Sequence, residues 1–314
     1  MKTEIRDTQV AGTVKRLRKP KSDTGMVENT GFGAHIINAI LGLLLLAVAF
    51  ACLVPMWHVL MSSFSNGQAL LAHSGVVLFP VGKATVGGYS LLFKDATVLR
   101  SYLVTILYVV GTASVGLVLN VLAGFVLSRP SKLKGVMTML VLISTMFNGG
   151  LIPTYMVVRY LGLTGTPLAI ILPSATNAIF MIMVMNSFLS VPQATVEAAT
   201  MDGAGHLTLM FRVMLPQARG LVLVTVIQTA LATWNSWFEA SIYLPNTKNW
   251  WPLQLVIKDF VSRNQDFLNY ANPDYNRYLV QYAVIIIATV PVLLILPFII
   301  RKLEENMVMG AVKG

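Results

Sequence analysis

A chain of 314 residues that is 55% hydrophobic and only 11% charged, with mean hydropathy +0.70, is too apolar for a soluble domain, in which charged residues reach about 25%. It reads as an integral membrane protein. The net charge of +10 would suit nucleic acid, but Lys and Arg stand mainly at the flanks of apolar runs, where membrane orientation accounts for them; the single Cys52 lies inside such a run and supplies no disulfide framework.

Residues 1–34 are polar, carry Lys15, Arg16, Arg18, Lys19 and Lys21, and lack an apolar period, which predicts a cytoplasmic N-terminal tail. The basic cluster has two readings, a positive-inside anchor or a contact for anionic lipid. The run that follows is not a secretory signal, being long enough to span and lacking a small-residue cleavage pattern behind it. Residues 36–60 form the first predicted span, with His58 as an interfacial side chain near its far end. Residues 62–99, with Gly82, Lys83, Gly87, Gly88, Lys94 and Asp95, read as an extramembrane loop.

The second span covers 102–127 and places Thr112, Gly116, Asn120 and Gly124 at i, i+4 spacing. Such a stripe lets helices approach closely, either inside the chain or against a partner chain. A basic turn from Arg129 to Lys134 leads to the third span, 136–158, which Asn148-Gly149-Gly150 and Pro153 should break or kink. After a brief return, 168–189 is the fourth span, with Pro173 and Asn177 inside it. A polar segment, 190–220, separates it from the fifth span at 221–243. The loop 244–278 holds Trp250, Trp251, Lys258, Arg263 and Arg277, and 279–300 is the sixth span before a tail at 301–314. The fold class is therefore all-α, with six transmembrane helices.

With 190–220 placed inside, fifteen of the 23 Lys and Arg residues fall on the inner side. The other eight are spread over longer outer loops, where charge counts less. Both termini are expected in the cytoplasm. Within 190–220, Ser190 and Gln193 have the spacing of a capping box with Pro192 in the first turn, predicting a helix to Asp202. Gly203 and Gly205 should break it, and a second short helix should run through Phe211 and Val213 until Pro216 stops it.

Glu197-Ala198-Ala199, three residues, Gly203, nine residues, Val213, one residue and Leu215-Pro216 together resemble the signature loop of ATP-binding-cassette importer permeases. Val213 stands where that family usually has Ile, Gly220 occupies the neighbourhood of a later Pro, and Asp202 and Ala204 fit the carbohydrate-uptake branch. Gly310-Ala311-Val312-Lys313-Gly314 is similar to the tail ending of the maltose-type second permease. Trp234-Asn235, Trp237-Phe238, Tyr243 and Pro252-Leu253-Gln254 resemble the fifth-span region. The stretch from Asn148 to Tyr155 looks like permeases of oligosaccharide importers serving complex or acidic sugars.

The resemblance implies a type I importer permease of the bacterial cytoplasmic membrane. Its partners would be a second permease, two ATPase subunits that bind ATP and Mg, and an extracytoplasmic solute-binding protein. Glu197, Ala198, Ala199, Asp202, Gly203, Leu215 and Pro216 would couple to the ATPases, with Gly310, Lys313 and Gly314 as a tail contact. For Glu197 a solvated helix face is the alternative. No cofactor or metal is expected of the chain itself. It has no Gly-x-x-x-x-Gly-Lys-Ser/Thr loop, no Gly-x-Ser-x-Gly, and no metal spacing among His35, His58, His73 and His206.

A hydrated path needs polar groups facing the bundle interior. The candidates are Thr225, Gln228, Asn235 and Glu239 close to one face of the fifth span, Ser144, Asn148 and Tyr155 on the third, Asn177 on the fourth, and Trp234 as an aromatic partner for sugar rings. Helix-to-helix hydrogen bonding is the alternative for each. Three functions compete: carbohydrate import, import of another solute such as an amino acid, phosphate or peptide, and self-powered secondary transport or membrane-enzyme activity. The last would need an ionisable relay or catalytic cluster, and only Glu239 lies near a span end.

Overall fold

The structure is a computed structural model and describes residues 32–147, 149–262 and 277–311. Residues 1–31 of the N-terminal tail, Asn148, Arg263, Lys313 and Gly314 lie outside the described residues, and residues 32–34 already belong to the first helix. Among the described residues there is helix and no strand. Residues up to Val54 cluster as one unit and Pro55 onward as another. Helix α1 (Phe32–Ser63) enters the larger unit at Pro55. There follow α2 (Gly67–Ala72), α3 (Gly87–Lys94) and α4 (Ala96–Ser128), then α5 (Lys134–Met146) with α6 (Leu151–Tyr160), and α7 (Leu168–Ala175) with α8 (Ala178–Leu189). The chain continues as α9 (Gln193–Met201), α10 (His206–Thr208), α11 (Leu215–Asn235), α12 (Phe238–Tyr243), α13 (Leu253–Ser262) and α14 (Arg277–Ala311).

Four of these rods are long and apolar enough to cross a membrane: His35–Ser63, Ala96–Ser128, His206–Asn235 and Leu279–Arg301. The bent pairs α5/α6 and α7/α8 bring the number to six if each is one span. Pro55, Pro291 and Pro297 sit within helices, as spans tolerate when neighbouring groups satisfy the freed carbonyls.

The sequence expected α4 to approach its neighbours closely, and it does so within the chain. An ideal Cβ on Gly116 falls 2.8 Å from the Ala175 carbonyl oxygen, and one on Gly124 falls 2.6 Å from Val184 Cγ1 and 3.0 Å from Met185 N. Thr112 and Asn120 on the same stripe are also buried. The stripe is thus the seat of α7 and α8. In lipid no hydrophobic force gathers helices, so such backbone approach and its van der Waals contact are what hold the spans together. On the α11 side, Thr225, Thr229 and Thr233 are buried, each hydroxyl donating to a carbonyl three or four residues back.

The breaks fall where chain chemistry forces them, though not always as expected. The third span stops at Met146 and resumes at Leu151 after Gly150, whose φ is +82°. The fourth span, read as one helix, is two helices bent by 47°. The Asn177 carboxamide oxygen accepts from Ile179 N (2.9 Å) and Phe180 N (3.4 Å), so it opens a new helix. The fifth span was expected to reach Tyr243; it ends at Asn235, with extended Ser236 before α12. There Ser236 Oγ donates to Glu239 Oε2 at 2.6 Å. The segment 62–99 is not all loop either. Asn66 caps α2 and Asp95 caps α4 through Thr97 N at 2.7 Å, so residues that read as loop punctuation are helix starts.

Gly135 lies in α5 with nothing within 4 Å of an added Cβ, which makes it the control for Gly116. Gly116→Ala is expected to lose about 1–3 kcal/mol through overpacking, and Gly135→Ala to gain about 0.5–1 kcal/mol from backbone entropy. Thermal unfolding of the purified protein in detergent measures both. Equal stability for the two variants would contradict the α4–α7 contact.

Candidate coupling loop and solute pathway

Helix α9 follows α8 after three residues, and its start differs from the expected capping box. Ser190 has helical backbone angles as the last cap of α8, and its hydroxyl donates to Ser187 O at 2.8 Å. Gln193 is the first residue of α9, too early for the reciprocal bond, and its Nε2 donates instead to Glu197 Oε1 at 3.2 Å.

The end of α9 explains the spacing between the Ala pair and the glycine. Gly203 N donates to Thr200 O at 3.0 Å and Ala204 N donates to Ala199 O at 3.0 Å. Gly203 sits at φ +79°. This is a Schellman closure, in which the residue after the cap must enter the left-handed region; a glycine does so without the Cβ penalty. Asp202 is the cap residue itself. The motif therefore encodes a helix stop at a fixed distance from Ala199.

The return strand of the hairpin was expected to end at Pro216. It does not. After α10 the chain makes a π-helical turn, Leu209–Met214, and Pro216 lies in the first turn of α11, so that His206–Asn235 forms one 30-residue rod. A proline ring conflicts with the carbonyl four residues back and offers no N–H. The wider π register just before it relieves both demands, and the Gln217 Nε2 donates to Val213 O at 3.0 Å.

Val196 from α9, Leu209, Met210 and Met214 from the π turn, and Ala218 and Val222 from α11 are buried in one cluster with Val121, Phe125, Val184 and Phe188. Ala199, Val213 and Leu215 pack against it. The hairpin is thus wedged onto the ends of α4, α8 and α11. Its outer surface carries Glu197, Ala198, Asp202, Gly203 and Pro216, all exposed. Sequence reading missed three large apolar side chains on that surface, Met201 (88% exposed), Leu207 and Phe211. The signal available was apolar residues that the buried face of a short hairpin has no room for.

Among the described residues no hydrogen bond or ring contact joins two of the pathway candidates. Trp234 Nε1 donates to Ala288 O at 3.3 Å and its ring meets Tyr102 edge-on, which joins α11 to α14 and α4. Tyr155 stacks on Tyr243 with centroids 6.1 Å apart. Asn177 is committed to capping α8. Thr225 faces the buried side of α11, whereas Gln228 and Asn235 are exposed; Asn235 Nδ2 donates to Leu231 O at 2.9 Å. Glu239 belongs to α12 rather than to the rod, so the expected single face divides. Ser144 is exposed, its hydroxyl donating to Val141 O at 2.7 Å. Asn148 lies outside the described residues. Gly310 lies in the last turns of α14. Among the described residues no cluster of three His, Cys, Asp or Glu side chains is placed to hold a metal ion.

Comparison with known proteins assigns the architecture. Residues 115–309 match the family described as binding-protein-dependent transport system inner membrane component. LplC of Bacillus subtilis is 33% identical over 269 residues, covering 83% of this chain and 90% of that protein. The polygalacturonan/rhamnogalacturonan transport system permease YtcP of Bacillus subtilis is 30% identical over 277 residues, covering 86% and 96%. A chain from the crystal structure of a bacterial ABC transporter involved in import of the acidic polysaccharide alginate superposes with a TM-score of 0.81 at 26% identity, covering 86% of this chain and 98% of that one. The chain belongs to the family of inner membrane components of binding-protein-dependent transport systems, which are transporter permeases and not enzymes.

Proposed function

We propose that this chain and a second permease form the pathway through which an ABC importer takes up an oligosaccharide or another carbohydrate. The observation that carries the reading is similarity along nearly the whole chain to a chain of the alginate importer, supported by the polygalacturonan/rhamnogalacturonan permease relative. The permease body is residues 35–300, the coupling loop 190–220, and the tail 301–314 ends in Gly310, Lys313 and Gly314 near the ATPase dimer. With the coupling loop in the cytoplasm, both termini lie on that side, and an extracytoplasmic binding protein delivers the solute to the other. ATP and Mg bind to the two ATPase subunits, whose hydrolysis supplies the energy.

The geometry suits mechanical coupling. Glu197, Ala198 and the apolar trio Met201, Leu207 and Phe211 offer a surface for a groove on the ATPase, with the small alanine letting backbone approach closely. Any displacement of α9 is passed through Val196, Met210 and Phe188 into α8, α4 and α11, because a close-packed cluster does not deform gradually. The rod from His206 to Asn235 is about 45 Å long at 1.5 Å per residue. It carries that movement to Gln228 and Asn235, exposed polar groups suited to a hydrated path.

Gly203→Val places a β-branched residue in the left-handed region, where any side chain costs about 1–2 kcal/mol and a branched one more. ATP hydrolysis in the reconstituted complex is expected to continue while uptake falls at least tenfold. Gly203→Asn, whose side chain tolerates that region, should keep most of the uptake. Normal transport by Gly203→Val would remove the Schellman turn from the coupling route.

ATPase stimulation by binding proteins loaded with different oligosaccharides tests the substrate class. Stimulation by a carbohydrate, lost in Glu197→Lys, is the expected result. A response only to a non-carbohydrate solute would overturn the carbohydrate reading and leave the architecture intact. Asn235→Leu should lower transport several-fold with complex assembly unchanged; unaltered uptake takes Asn235 off the path.

A further inference from the structure

The segment joining α2 to α3, residues 73–86, folds back along α1. Trp57 Nε1 donates to Leu78 O at 2.8 Å, and Val77 N donates to His58 Nδ1 at 2.9 Å. Val81 N donates to Ser65 Oγ at 3.0 Å, Asn66 N to Val81 O at 3.0 Å, and Thr85 N to Phe64 O at 2.8 Å. His58 and Trp57 precede Ser63, the last residue of α1, by five and six positions, which places the middle of the strap about 8–9 Å back from the helix end. That depth lies within the stretch His35–Ser63 that is apolar enough to span.

The strap divides its groups by chemistry. Its peptide groups at Val77, Leu78 and Val81 turn inward onto α1 and its extension, and the Val77 side chain is buried. Val76, Leu78 and Phe79 point outward, Phe79 being 77% exposed. From His73 to Gly82 there is no Asp, Glu, Lys or Arg. Trp57 on α1 is exposed where the strap bonds to it, so the strap and the end of α1 present one uncharged apolar surface. An irregular segment is tolerated at such depth only where its backbone polar groups are satisfied. Tryptophan with its indole N–H bonded is the side chain that marks the membrane interface.

We infer that residues 75–79 are a lipid anchor: Val76, Leu78 and Phe79 insert into the acyl boundary of the leaflet at the C-terminal end of α1. The partner is the bilayer itself, by continuity with exposed Trp57 at the end of an apolar helix long enough to span, to which the strap is bonded. The anchor holds the α2–α3 region down beside the span. His58 serves as its inner clasp, using Nδ1 for the strap and approaching Tyr282 of α14 with Nε2 at 3.4 Å.

Spin labelling tests this in the complete transporter, reconstituted in bilayers with cysteine-free partners and with Cys52→Ser in this chain. Labels are placed singly at Phe79→Cys and Val76→Cys. Leu44→Cys within α1 gives a span reference and Gln68→Cys on α2 an aqueous one. Collision with oxygen, which partitions into acyl chains, should exceed collision with a water-soluble nickel chelate several-fold at positions 79 and 76, as at 44 and opposite to 68. Preferential collision with the chelate would put the strap in water and overturn the inference. Little collision with either reagent would mean that a protein partner covers it, which overturns it equally.

Discussion

Helix α4 lies against the backbone of the fourth span because two of its residues have no side chain to keep it away, and the rest of the bundle is arranged about that contact. At Gly116 the neighbour is a carbonyl oxygen and at Gly124 a backbone nitrogen and a valine. Neither can retreat far. With one edge of α4 fixed by α7 and α8, its other edge receives the threonine face of α11, where each hydroxyl satisfies itself on its own helix and asks nothing of its neighbour. Close packing between α4, α8 and α11 substitutes here for the hydrophobic force that water would supply to a soluble core.

Toward one end of this packed group the coupling hairpin is joined to all three helices by a single apolar cluster. Two backbone features give the hairpin its shape. The Schellman closure at Gly203 turns the chain sharply, and the π turn before Pro216 keeps the returning helix unbroken. The first places α9 across the helix ends. The second makes residues 206–235 one rod that runs through Pro216 without a break. Met201, Leu207 and Phe211 leave the outer face of the hairpin apolar.

Toward the other end the chain is built of short helices and straps that tie the spans to each other. Tyr108 donates to Trp250 O at 2.7 Å, Thr105 accepts from Leu253 N at 2.8 Å, and Lys258 sits 4.7 Å above the Trp237 ring. Amphipathic α13 buries Leu253, Leu255, Val256 and Ile257 and leaves Lys258 outside. The uncharged strap that folds back onto Trp57 and His58 is built in the same way, with its peptide groups bonded to a neighbouring helix.

Membrane insertion, helical class, the small-residue stripe and the turn at Gly203 were legible in the sequence, because each depends on local properties: hydropathy over a window, residue size, and the need for glycine at positive φ. What the sequence left unreadable was decided by contacts between distant residues. Ser190 and Gln193 match a capping box, yet the demand of α8 for a C-cap takes the serine first. Pro216 reads as a stop, but a π turn anchored by buried Leu209, Met210 and Met214 carries the helix through it. Asn177, Trp234 and Tyr155 look suited to a solute path, and the fold engages them in a helix cap, a bond to α14 and a ring stack that the sequence did not show. Polarity inside a membrane shows only that a group must find a partner; tertiary packing alone determines whether that partner is another helix or a hydrated solute.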